Sequence, residues 1–170
     1  MDIEQIRLYS EIAGYAAGVT SVLFLAWQIK KERKLEEYRT LQALEEKYTS
    51  LLWVGSEKPG IDQTWKVISK ERKEHLDALV QEGNRDSWPV WNSMNNEEKN
   101  CYRFTRAGFE VFEQAFIANR KGWIDDKEIQ LKWKNWILSW KKTNYFAPYV
   151  LKEMEHWFTS SFVKYYNNLE

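Results

Sequence analysis

The chain has 170 residues, 44% of them hydrophobic and 16% aromatic, with 25 basic and 25 acidic side chains that cancel to zero net charge. That length suits one domain, or one domain with an appendage, and neutrality excludes an electrostatic trap for duplex nucleic acid. Seven Gly, three Pro and a single cysteine, Cys101, point to long helices and rule out an internal disulfide.

The first element is the run IAGYAAGVTSVLFLAWQI, residues 12–29, in which no position is charged. A cleaved leader would carry basic residues before such a run. Here Asp2, Glu4 and Glu11 precede it, and Lys30, Lys31, Arg33 and Lys34 follow it. The polar residues Thr20, Ser21 and Gln28 form no continuous helical stripe, as a helix buried in a soluble domain would require. A transmembrane helix is therefore expected over this run, with the lipid bilayer as partner and a basic flank ending the segment 1–34. Trp27 reads as an interfacial anchor. The basic side after the span places the remainder, residues 35–170, in the cytoplasm and the N-terminus outside. Gly14 and Gly18 share one face, and Ser21 adjoins it in a row of small residues. Such a seam lets helices approach closely in lipid, so a homo-oligomer is expected.

No Gly or Pro occurs from Val19 to Val54, which predicts one helix continuing as a stalk. Leu41, Leu44, Tyr48 and Leu51 then recur at 3, 4 and 3, a packing stripe, and Gly55 is expected to end the helix. A second helix is expected over residues 61–82, with Trp65, Ile68, Leu76, Leu79 and Val80 apolar and a break at Gly83, Asn84 and Pro89. Asn95 or Asn96 reads as the N-cap of a third, whose first turn holds Glu97 and Glu98. Its stripe is Tyr102, Thr105, Phe109, Phe112 and Phe116, and Gly122 stops it. Asp125 or Asp126 caps a fourth helix, with Ile129, Trp133, Trp136 and Trp140 on one face. Residues 144–148 form a turn before a last helical region, broken near Thr159. The expected fold is all-α: a transmembrane helix leading through a stalk into an antiparallel helical bundle.

Catalytic signals are missing from the sequence. His75 and His156 lack a second ligand at metal-site spacing, so no metal site is expected. Cys101 has no marked base, no glycine-rich phosphate loop occurs, and Asp125–Asp126 read as caps. No enzyme and no cofactor are expected. Ligand recognition has more support. Arg103 and Arg106 lie three apart, Arg120 and Lys121 end the same helix, and the following helix interleaves lysines with Trp133 and Trp140. Guanidinium groups bind phosphate and indoles stack on bases, which would suit a nucleotide. The same 3 and 4 spacing equally describes tryptophans in a core with lysines in solvent, and a basic, Trp-rich helix also suits docking on a membrane surface.

The segments AWQIKKERK, SEKPGIDQTWK, FEVFEQAFIANRKGWIDDKEIQLKWKNWI and HWFTSSFVKYY, in that order, resemble an uncharacterised family of bacterial single-span membrane proteins with a helical cytosolic domain. Phe109, Phe112 and Glu113, then Gly122, Trp123, Ile124 and Asp125, stand where that family has a Phe-x-x-Phe-Glu helix and a Gly-hydrophobic-Asp turn. NRDSWPVWNSMNN and the density of Trp depart from its pattern. The resemblance implies the bundle and a single-pass location in a bacterial inner membrane, and it transfers no activity. By analogy of layout alone, the expected role is a membrane-anchored sensor or effector of antiviral (antiphage) defence. Its bundle would bind a nucleotide and alter the oligomeric spans. The alternative is a passive anchored scaffold that recruits a protein.

Overall fold

The computed structural model describes residues 3–58, 60–82, 88–124 and 126–170. Gly83, Asn84 and Asp125, named above as breakers and cap, lie outside these residues, as do the side chains of Ile12, Ala13 and Ala16. The described chain is all-α, with no strand among the described residues. Seven α-helices follow one another: α1 (Ile3–Glu57), α2 (Lys70–Glu82), α3 (Pro89–Ser93), α4 (Asn96–Arg120), α5 (Lys127–Thr143), α6 (Ala147–Glu153) and α7 (Ser160–Asn167). Short 3-10 segments occupy Ile61–Trp65 and Glu155–Trp157. The chain divides into two units, Met1–Arg39 and Thr40–Glu170.

In the first unit the described large apolar side chains of α1 are exposed. Tyr15, Val19, Val22, Leu23, Phe24, Leu25, Trp27 and Ile29 are between 53% and 77% exposed. Among the described residues no helix is long and apolar enough to cross a membrane. The transmembrane helix expected over residues 12–29 is thus unsupported by those residues.

The second unit is built around α4. Asn95 caps it: the Asn95 side chain accepts from the Glu98 N–H at 2.9 Å, and the Glu98 carboxylate accepts from the Asn95 N–H at 3.0 Å. This capping box satisfies two backbone donors that a helix start otherwise leaves unpaired. At the far end Gly122 takes φ 66°, and the Trp123 N–H reaches back to the Ala118 carbonyl at 2.9 Å. A glycine closes the helix there because only it adopts that geometry without strain. Between the caps, burial extends well beyond the expected stripe. Besides Tyr102, Thr105, Phe109 and Phe112, it takes in Cys101, Phe104, Gly108, Val111, Ala115 and Ala118. A helix buried on so much of its circumference is the central element. The 3-10 segment Ile61–Trp65, α5, α6 and α7 pack against it, and α2 packs on α3 and α6.

Two expectations need correction. Gly55 does not end α1, which continues to Glu57. A Cβ at Gly55 would stand 2.5 Å from the Phe104 ring, so the missing side chain lets that ring lie against α1. The helix expected over residues 61–82 is also interrupted. Residues 61–65 form a 3-10 segment, Lys66 is extended, and α2 begins only at Lys70, where the Ser69 hydroxyl accepts from the Arg72 N–H at 3.2 Å. The Thr64 carbonyl accepts instead from Tyr145 N–H at 3.1 Å, a partner 81 residues on by sequence. That long-range bond takes the acceptor that a continuing helix would have used.

Tryptophan and phenylalanine fill the interior. Trp140 stacks on Phe104 at 5.3 Å and meets Phe112 edge-on at 5.1 Å, while Tyr48 stacks on Trp136 at 4.4 Å. The last helical region is broken by the 3-10 turn and by extended Phe158, so that α7 starts after Thr159. Phe158, Phe162 and Tyr166 from that region surround Phe109.

Candidate functional site

The sequence-selected ligand residues separate into two groups in the structure. Trp133 and Trp140 are 4% and 3% exposed and belong to the aromatic core. Neither presents a ring face to a base from solvent, and their 4, 3, 4 spacing with Trp136 is the spacing of packing. Arg120 and Lys121 lie exposed where α4 ends, with the Lys121 ammonium 4.5 Å from the Trp123 ring. Arg103 and Arg106 lie on a different part of α4, against tryptophans from other elements.

That second group forms a surface of cations on indoles. Arg103 lies 5.0 Å from the Trp91 ring centre, and Lys99, one turn earlier on α4, lies 5.4 Å from the same centre. Arg106 lies 4.3 Å from the ring of Trp157, which is 49% exposed and meets Trp88 edge-on at 5.8 Å. A cation near an aromatic ring is drawn to its negative face, an attraction worth about 0.5–2 kcal/mol depending on exposure. Arg106 also pairs with Glu110 at 2.9 Å. Trp88 sits at φ 47°, a left-handed backbone that a bulky residue rarely takes.

A buried carboxylate supports this surface from below. Glu153 accepts from the Val90 N–H at 3.1 Å and from the Tyr102 hydroxyl at 2.7 Å, tying α6 to α3 and α4. Burial and that hydrogen bond to a carboxylate push the Tyr102 phenol far above its ordinary value. Tyr102 in turn meets Trp91 edge-on at 5.5 Å. The Trp91 ring therefore rests on a fixed floor. Lys99, Trp88 and Trp91 carry no ligand signal in the sequence, and Trp157 reads there as an apolar position of the last helical region. The Lys99, Arg103, Arg106 spacing of 4 and 3 was visible there, but their indole partners lie up to 51 positions away.

The remaining chemistry is structural. Cys101 is fully buried, its thiol donates to the Gly60 carbonyl at 3.0 Å, and burial raises its pKa. A buried thiol held in the neutral form is a poor nucleophile. Among the described residues no group of three His, Cys, Asp or Glu side chains is placed to hold a metal ion. A cleft of about 550 Å³ opens elsewhere, lined by Leu52, Gly55, Trp65 and Phe104 among others. In the first unit, Gly14 and Gly18 are exposed with open space where a Cβ would stand. The Ser21 hydroxyl donates to the Ala17 carbonyl at 2.8 Å. No family model matches the chain, and no curated protein or solved structure matches it either.

Proposed function

We propose that the chain is a membrane-anchored sensor or effector whose helical unit binds a nucleotide ligand and alters the association of its membrane helices. The observation carrying the anchor is the bare apolar surface of α1, where eight large side chains between Tyr15 and Ile29 are more than half exposed. In water such a surface demands a cover, and a bilayer supplies one without any specific partner. The polar interruption at Ser21 suits lipid, because its hydroxyl is satisfied by its own helix. Lys30, Lys31, Arg33 and Lys34 would meet the anionic cytoplasmic leaflet, leaving the second unit inside. Gly14, Gly18 and Ser21 would form the seam between spans, and a ligand would act by favouring one arrangement of them.

Alkaline carbonate extraction of membranes from cells making the full chain tests the anchor. The chain is expected in the pellet, and replacement of Leu23 and Leu25 by lysine should release it. Recovery of the unaltered chain in the supernatant would end this reading. The passive scaffold has one observation in its favour, the consecutive exposed residues Leu52, Trp53 and Val54, with Trp53 67% exposed. If W53D abolishes capture of a protein partner while nucleotides leave the oligomer unchanged, the scaffold replaces the sensor.

A further inference from the structure

Two cations, Lys99 and Arg103, meet at the Trp91 ring, and this pair deepens the ligand-binding half of the proposed function by locating its charge. Lys99 and Arg103 stand one turn apart on α4 and both lie over one indole. Like charges at that spacing repel by a few tenths of a kcal/mol in an isolated helix. Several basic side chains of this unit are matched with acids, among them Arg72 with Glu98, Lys73 with Asp77, Arg106 with Glu110 and Lys132 with Glu45. Among the described residues, Lys99 and Arg103 have no acidic partner. Their contacts are instead with Trp91, and Trp91 is held by Tyr102 above the buried Glu153 bridge. The indole thus orders two positive groups without neutralising them.

We infer that Lys99 and Arg103, ordered by Trp91, form the binding site for the phosphate of a small phosphorylated ligand. An arginine fork offers paired N–H donors to phosphate oxygens, and a neighbouring ammonium adds a point charge. An indole under the cations restricts their rotamers before the anion arrives, so less ordering is left for binding. Arg106, three residues beyond Arg103 on the same helix, lies over Trp157, which in turn meets Trp88. This site excludes Trp133 and Trp140, which are core residues, and places Arg120 and Lys121 outside the phosphate contacts.

The test uses the full chain in micelles of a non-ionic detergent, titrated by calorimetry with inorganic pyrophosphate and separately with monomeric dihexanoyl phosphatidylglycerol. Saturable pyrophosphate binding is expected, weakened at least about tenfold in K99Q and in R103Q and unchanged in R120Q, as loss of one charge-assisted contact requires. Binding of the lipid but not of pyrophosphate, lost in the same two variants, would keep the phosphate site and identify a headgroup as its source. Failure of both probes to bind, or binding indifferent to K99Q and R103Q, would overturn the inference. Thermal melts within a few degrees of the unaltered chain establish that these substitutions, at half-buried Lys99 and at exposed Arg103 and Arg120, leave the bundle folded. Carbonate extraction of K99Q and R103Q separates the two claims, since an anchored chain stays in the pellet whether or not the phosphate site exists.

Discussion

Gly108 lies in the middle of α4, where propensity alone argues for replacing it. Alanine in a helix interior is favoured over glycine by about 1 kcal/mol, so an open site would gain stability from Gly108→Ala. The structure gives the opposite sign. A Cβ at Gly108 would stand 2.2 Å from Cζ3 of Trp140 and 2.3 Å from Cη2. Carbon atoms rest at about 3.5–4.0 Å, so the indole would have to withdraw by roughly 1.3 Å or more. It has nowhere easy to go, being held by Phe104, Phe112 and Trp65, each with its ring centre within 5.3 Å. Overpacking of this kind costs about 1–3 kcal/mol, and the rigidity of the ring cluster argues for the upper end. Less the propensity gain, Gly108→Ala should destabilise the bundle by about 2 kcal/mol. For a domain of this size that lowers Tm by roughly 6–10 °C. The assay is a thermal melt followed by far-ultraviolet circular dichroism in detergent, repeated on Trp140→Phe and on the double variant. The smaller ring should absorb the methyl group, so the two changes should be sub-additive by about 1 kcal/mol or more. A G108A chain as stable as the original, or more so, would refute the packing of α4 against α5.

Four further outcomes are expected. Arg72 holds Glu98 through two hydrogen bonds of 2.8 Å, and R72A should cost about 2–3 kcal/mol because it strands a mostly buried carboxylate. Burial alone would raise the Glu98 carboxyl, but Arg72 and the Asn95 N–H outweigh it and hold the group below its ordinary 4.5. Its contribution is thus complete above pH 4.5 and lost as the pH falls below that value through the lower folded pKa, an acid loss that urea melts should find diminished in E98Q. Tyr102→Phe removes one of the two donors to Glu153 and should cost about 1–3 kcal/mol, read from the urea midpoint. Gly14→Leu with Gly18→Leu should leave the bundle melt unchanged while reducing cross-linked oligomer in membranes, and undiminished cross-linking would remove the seam.

Local signals carried much of the helix pattern. Asn95 followed by Glu98 marks a capping box in any context, and Gly122 after a long amphipathic run marks a stop. The features that escaped sequence reading depend on partners distant along the chain. Gly55 looks like a terminator until Phe104 is seen lying on it, and the bond from Tyr145 to the Thr64 carbonyl has no local trace. The candidate site was half legible for the same reason. Arg103 and Arg106 were visible as a cationic spacing, whereas the indoles beneath them come from α3 and from the 3-10 turn before α7. Trp133 and Trp140 show the reverse ambiguity: one periodicity serves equally for a core and for a stacking platform, and only burial separates them.

The enclosure of Phe109 by Phe158, Phe162 and Tyr166 changes what trimming the C-terminus would mean. Shortening the chain at Thr159 would discard α7 as though it were a dispensable tail. It would in fact unroof the middle of the central helix, leaving Phe109 and Phe116 facing solvent. Expression boundaries for this protein should accordingly retain the final twelve residues.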